Sequence, residues 1–197
     1  MKKERVLLEV VLRIASIDDA AAVNETYGYY IEHSLANFGE QNKTLEERAQ
    51  EMKELLKMYP FFIAEDENGR FLGFACAEPY RPKSGYRYTA ELTIYLHPDT
   101  PKGCGVGTAL YRALLDCLST QGFRIALGVI HDQNHGSLAL HRKFDFEQVG
   151  VLRSCCYKHG QWVSAVILEK VLNSFDEEPN ELIPFAHYRH TLEVEEC

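Results

Sequence analysis

Three glycines at alternate positions, Gly103, Gly105 and Gly107, open an amphipathic segment in the stretch Pro101 to Tyr111. A helix start leaves up to four backbone N–H groups without intrahelical partners, the macrodipole adds partial positive charge, and glycines leave those donors uncovered. That chemistry suits a phosphate or pyrophosphate. A Walker-type loop does not fit, because it needs Lys and then Ser or Thr after its last glycine, whereas Thr108 and Ala109 follow Gly107 and Lys102 precedes the glycines. A dinucleotide fingerprint needs Gly-x-Gly-x-x-Gly and a later acidic residue; Asp132 stands about where one could fall, but the spacing here is Gly-x-Gly-x-Gly. His131 and His135 are four apart, yet Gly136 and a strand-to-helix junction spoil a regular helical pair, so no metal is expected. Cys104 inside the loop is either a thiol of lowered pKa or the occupant of a variable position.

The elements that must carry this loop follow from the pattern along the chain. The 197 residues, 46% hydrophobic, fit one compact domain or one domain with a short appendage. Apolar residues over Val6 to Ile14 predict a first strand, and Ser16 to Asp19 form a capping box ahead of a helix to about His33. Ser34 to Lys43 is polar and turn-rich, and Thr44 caps a second helix to Met58. Phe61 to Glu65 and Arg70 to Pro79 are strands joined through Asn68-Gly69, and a loop from Arg81 to Arg87 leads to a long strand from Tyr88 to Leu96. After the glycines, Leu110, Tyr111, Leu114, Leu115 and Leu118 make one helical stripe closed by Gly122. A buried strand from Arg124 to Ile130, a helix from about His135 to Lys143, and a hairpin of Glu147 to Tyr157 with Trp162 to Leu172 complete the domain. The order β-α-α-β-β-β-α-β-α-β-β predicts an α/β fold of the mixed α+β kind, a mostly antiparallel mixed sheet flanked by about four helices. Residues 1–172 are read as the domain and 173–197 as an appendage.

A net charge of −8 argues against a nucleic-acid partner. No apolar run reaches the ~20 residues that span a bilayer, and Met1-Lys2-Lys3-Glu4 is not a signal peptide, so a cytoplasmic protein without a membrane partner is expected. The six cysteines include no Cys-x-x-Cys, which favours reduced, packing thiols.

Lys102-Gly103-Cys104-Gly105-Val106-Gly107 resembles the [Arg/Gln]-x-x-Gly-x-[Gly/Ala] pyrophosphate loop of the GCN5-related N-acetyltransferases, with Lys where Arg or Gln is usual. Asn37-Phe38, Tyr59-Pro60, Glu91-x-x-Ile94-Tyr95-Leu96, Asn134, Leu140-His141, Phe146 and Tyr157-Lys158-His159-Gly160-x-Trp162 extend the resemblance to phosphinothricin-type acetyltransferases over residues 12 to 172. Gly39 stands where that family often has a charged residue, and Phe144-Asp145-Phe146 replaces a more usual Leu-Gly-Phe.

The resemblance implies acetyl-CoA as co-substrate, a small amino acid or amino-acid analogue as acceptor, and a homodimer. Lys102, Gly103, Cys104, Gly105, Val106, Gly107 and Thr108 would hold the pyrophosphate; the backbone of Ile94, Tyr95 and Leu96, with Asn134 and Ser137, would hold the pantetheine arm. Alkyl amines are protonated at neutral pH and need a base, for which Glu91 is the candidate; the bland alternative is a solvent-facing Glu on the sheet. His141, where many relatives carry a tyrosine, is assigned proton transfer of unspecified direction. Phe38, Arg81, Lys83 and Tyr86 would face the acceptor, the cations binding a carboxylate or phosphinate. A dinucleotide-binding oxidoreductase and a catalytically silent acyl-CoA-binding fold are the alternatives.

Overall fold

A computed structural model describes residues 9–188. Its elements are β1 (Val11–Ile14), α1 (Ala20–His33), α2 (Leu45–Met58), β2 (Phe61–Glu65), β3 (Phe71–Pro79), β4 (Thr89–Leu96), α3 (Val106–Gln121), β5 (Ile125–His131), α4 (His135–Lys143), β6 (Glu147–Lys158), β7 (Gln161–Val171) and the short α5 (Phe185–Tyr188). The seven strands form one sheet in the order β1-β2-β3-β4-β5-β7-β6. Every neighbouring pair is antiparallel except β4 and β5. One correction concerns β1: it starts at Val11, so Glu9 and Val10 do not pair, and Val6 to Leu8 of the expected strand lie outside the described residues.

Two capping boxes set the first helical turns. The Ser16 hydroxyl accepts from the Asp18 N–H while the Asp19 carboxylate accepts from the Ser16 N–H, and ahead of α2 the Thr44 hydroxyl accepts from the Glu47 N–H while the Glu47 carboxylate accepts from the Thr44 N–H. Alternation along β3 and β4 then separates two layers. Phe74 and Tyr95 meet Tyr27 of α1 on one face, with ring centroids 5.1 and 5.2 Å apart. On the other face Ile94 and Leu96 lie against the start of α3, whose stripe Leu110, Tyr111, Leu114 and Leu118 is fully buried.

The segment after Asn173 returns to this core. Asn173 Nδ2 donates to the carbonyls of Ser119 and Phe123, closing the C-terminal end of α3. The Ile183 N–H donates to the Gln121 carbonyl, and the buried Gln121 Nε2 donates to the carbonyls of Ile183 and Met58. Phe185 is completely buried, its ring 6.0 Å from that of Phe62. Truncating Phe185 to Ala is therefore expected to destabilise the fold by about 3–5 kcal/mol, read by denaturant unfolding.

Candidate active site

The site begins where the one parallel strand pair fails. β4 and β5 pair only over Thr89–Ile125, Ala90–Ala126 and Glu91–Leu127. Beyond that point β4 remains paired to β3 as far as Leu96, and β5 remains paired to β7 as far as His131. The two strands therefore diverge, leaving a wedge between the backbones of Leu92–Leu96 and Gly128–His131. Backbone donors and acceptors of β4 on the wedge side have no strand partner there, and an extended, amide-bearing chain can supply one.

Glu91 sits at the apex of this wedge and the glycine loop at its open end. Gly107 in the first turn of α3 stands beside Ile94 and Leu96; a Cβ built on it would lie 3.8 and 3.9 Å from their methyl groups. Gly103 and Gly105 have φ of 77° and 102°, conformations that side-chain-bearing residues avoid, and a Cβ on either would meet nothing within 4 Å. The space above them is open. The N–H groups of Val106 and Gly107 have no backbone acceptor among the described residues, since the first bonds of α3 run from Thr108 and Ala109 to the Gly105 carbonyl. Lys102 is exposed, and Lys143 from the end of α4 donates to Thr108 Oγ1 at 3.2 Å, bringing a second ammonium to the loop. Sequence reasoning missed Lys143 because only the packing of α4 on α3 puts it there. Replacing Gly105 by Ala forces a residue with a Cβ into this conformation at about 1–2 kcal/mol. The expected result is a roughly tenfold rise in KM for a pyrophosphate-bearing cofactor, with the melting temperature lowered by about 2–8 °C.

Residues 134–141 line the β5 side. Asn134 caps α4 through Oδ1, which accepts from the Ser137 N–H at 3.2 Å, while its Nδ2 donates to no protein group among the described residues. His141 is 3% exposed. Its Nδ1 lies 2.8 Å from the Ser137 carbonyl, which can only accept, so Nδ1 carries the proton; Nε2, 2.5 Å from the Tyr111 hydroxyl, then accepts. Burial pushes the His141 pKa down, opposed by the Ser137 carbonyl, and pushes that of Tyr111 far up. Gly128 makes this packing possible, because a Cβ there would stand 2.5 Å from His141 Nε2. A Schellman turn fixes the far side: Phe146 N–H donates to the His141 carbonyl and Asp145 N–H to that of Arg142, with Asp145 at φ 60°. That left-handed position is where Asp145 replaces the glycine of Leu-Gly-Phe.

Glu91, Thr93 and Tyr95 project from the opposite face, toward α1. Glu91 is half-buried; burial and then the nearby Glu78 raise its pKa, against a smaller lowering by Arg81. Tyr95 contributes only backbone to the wedge, since its hydroxyl accepts from Asn37 Nδ2 at 3.1 Å. Lys158, the lysine of the Tyr-Lys-His-Gly-x-Trp string, is 4% exposed and donates to the carbonyls of Asn37, Ser34 and Tyr30 at 2.6, 2.9 and 3.5 Å. It closes the C-terminal end of α1 and ties the β6–β7 hairpin to the loop bearing the half-buried Phe38. Arg81, Lys83 and Tyr86 are exposed on the loop before β4, with Arg81 5.0 Å from the Tyr80 ring. Among the described residues no cluster of three or more His, Cys, Asp or Glu could hold a metal ion, and no helix is long and apolar enough to cross a membrane.

Residues 27–146 match the Acetyltransferase (GNAT) family. The chain belongs to that family. A phosphinothricin N-acetyltransferase from Alcaligenes faecalis is 35% identical over 167 residues, covering 84% of each chain. An L-methionine sulfoximine/L-methionine sulfone acetyltransferase from Salmonella typhimurium is 29% identical over 83% of this chain and 95% of its own. Among solved structures, a GNAT phosphinothricin acetyltransferase from Sinorhizobium meliloti in complex with AcCoA superposes with a TM-score of 0.84, at 30% identity over 88% of this chain and 95% of that one. This GNAT chain is thus an N-acetyltransferase by family, and its sheet lacks the doubly wound order of the Rossmann dinucleotide-binding fold.

Proposed function

We propose that this GNAT enzyme transfers the acetyl group of acetyl-CoA to the amine of a small amino acid or amino-acid analogue of the phosphinothricin or methionine sulfoximine type. The observation that carries the reading is the wedge itself, with a carboxylate at its apex and a helix N-terminus at its mouth. The AcCoA complex of the S. meliloti relative and the names of the two curated relatives support the cofactor and the acceptor class. Acetyl-CoA supplies an activated acyl thioester; the pyrophosphate goes to Lys102, Gly103, Cys104, Gly105, Val106, Gly107 and Thr108, and the pantetheine arm to Ile94, Tyr95, Leu96, Asn134 and Ser137. Glu91 removes a proton from the acceptor, and a β4 backbone N–H polarises the thioester carbonyl. His141 exchanges a proton only at Nε2, in concert with Tyr111, because Nδ1 is committed to Ser137. Phe38, Arg81, Lys83 and Tyr86 line the acceptor's approach.

Thiol release from acetyl-CoA, measured against free amino acids, methionine sulfoximine, phosphinothricin and simple polyamines, tests this reading. Amine-dependent release with amino-acid-like acceptors is expected; no release with any of them overturns it.

A homodimer is proposed on a separate ground. β6 is an edge strand, and Val149, Val151 and Leu152 on it are 45–54% exposed, apolar side chains on both faces of an edge that would usually be protected. Light scattering should give twice the chain mass, and a monomer that persists at high concentration rules this out.

A further inference from the structure

Glu78 and Glu91 stand directly opposite each other across β3 and β4, as register partners on the face turned toward α1. Side chains so placed have Cβ atoms about 4.5–5.5 Å apart, and like charges in that position destabilise a sheet. Thr93, on the same face, donates from Oγ1 to Glu78 Oε1 at 3.1 Å and so holds that carboxylate beside Glu91. Among the described residues neither carboxylate has a cation within ion-pair distance. The other charged groups facing the pair are few. Lys43 and Arg48 act on Glu78 from the α2 side, but both are paired to Glu51, which acts in the opposite sense. Arg81 acts on Glu91 from the exposed loop before β4. Cys76, Tyr27 and Tyr95 are held neutral by burial. Two half-buried carboxylates at the apex of a catalytic wedge therefore lack the counter-ion that buried charge demands.

We propose that Glu78 and Glu91 act as one carboxylate pair that receives the acceptor as its alkylammonium ion, Glu78 binding and orienting it and Glu91 taking its proton. The inference rests on the acetyl-transfer reading and adds to it the group that selects a cationic amine. One N–H of the ammonium donates to Glu78 while a second proton passes to Glu91, leaving a neutral amine and a protonated Glu91. The nitrogen lone pair forms the C–N bond as the carbonyl π electrons move to oxygen; collapse of that intermediate breaks the C–S bond. A second nitrogen proton neutralises the CoA thiolate, and Glu91 returns its proton to solvent. The sum is ammonium plus acetyl-CoA giving N-acetyl product, CoA thiol and one proton.

Glu78→Gln keeps the shape and the Thr93 hydrogen bond and removes the charge. It is expected to raise KM for the acceptor about tenfold or more, to leave KM for acetyl-CoA at the wild-type value, and to be partly rescued in Glu78→Asp. A second measurement needs no turnover. Both carboxyls have folded pKa values raised, chiefly by burial, above the unfolded value of about 4.3, so stability is fully present below that pH and is lost as pH rises through the folded values. Glu78→Gln should consequently melt above wild type at pH 8, with the difference vanishing below about pH 4.3. A wild-type acceptor KM in Glu78→Gln, or a melting difference independent of pH, overturns the pair while acetylation by the wild type stands. If the wild type acetylates no amine, the acetyl-transfer reading and the ammonium role fall together.

Discussion

Glu91→Gln is expected to lower kcat by about 10²- to 10⁴-fold, the usual range for a general base, which corresponds to roughly 3–5 kcal/mol of barrier. The amide is nearly isosteric and cannot take a proton, so KM for acetyl-CoA should not change. The pH profile carries the same signature. Burial and Glu78 push the Glu91 carboxyl above its ordinary range, and a base works only when deprotonated. In the wild type kcat/KM should therefore fall on the acid side at a pH above that of an ordinary Glu. At saturating acceptor that limb should be missing from kcat of Glu91→Gln, whereas its kcat/KM keeps the acid limb of Glu78. Steady-state kinetics from pH 5 to 9 read both effects.

His141→Ala is expected to destabilise the fold by about 2–4 kcal/mol. The substitution empties the space beneath Gly128 and leaves the Tyr111 hydroxyl, completely buried, without its acceptor. The pH dependence gives an independent check. The folded His141 pKa is depressed below an unfolded value of about 6.5, so the unfolded state binds the extra proton first. Stability associated with the neutral ring is present above pH 6.5 and declines as pH falls toward the folded value. His141→Gln, which cannot titrate, should lose less stability than wild type between pH 6.5 and 5. Comparing thermal unfolding with kcat in these two variants separates packing from proton transfer: a stable variant with depressed kcat speaks for Nε2 chemistry, and an active variant with lowered melting temperature speaks for a core histidine.

The sequence showed most of the fold because its signals were local. Two capping boxes, the Asn68-Gly69 turn, the Gly122 helix stop and the alternation in β4 each act over a few residues, and each expected element lies within a residue or two of its bounds apart from the shortened β1, while α5 in the appendage was not expected. The glycine loop was legible for the same reason. The wedge was not, because the divergence of β4 from β5 after Glu91 is a property of two strands separated by the whole of α3. Glu78 carried the same signal as Glu91, a carboxylate at the end of an apolar strand, but only the β3–β4 register places the two opposite. Tyr111 was read as one more residue of a helical stripe; its hydroxyl acquires meaning from His141, thirty positions away. Lys158 belonged to the Tyr-Lys-His-Gly-x-Trp string, yet its partners, three carbonyls at and just beyond the end of α1, lie more than 120 positions upstream.

A crystal structure of the acetyl-CoA complex tests whether the wedge seats the acyl carrier. The pantetheine amides should pair with the backbone of residues 92–96 and the pyrophosphate should lie on the N–H groups of Gly103 to Gly107, with the thioester directed toward the Glu91 end. Acetyl-CoA bound elsewhere on the chain, or a wedge closed by β4–β5 pairing beyond Glu91, would rule the wedge out as its seat.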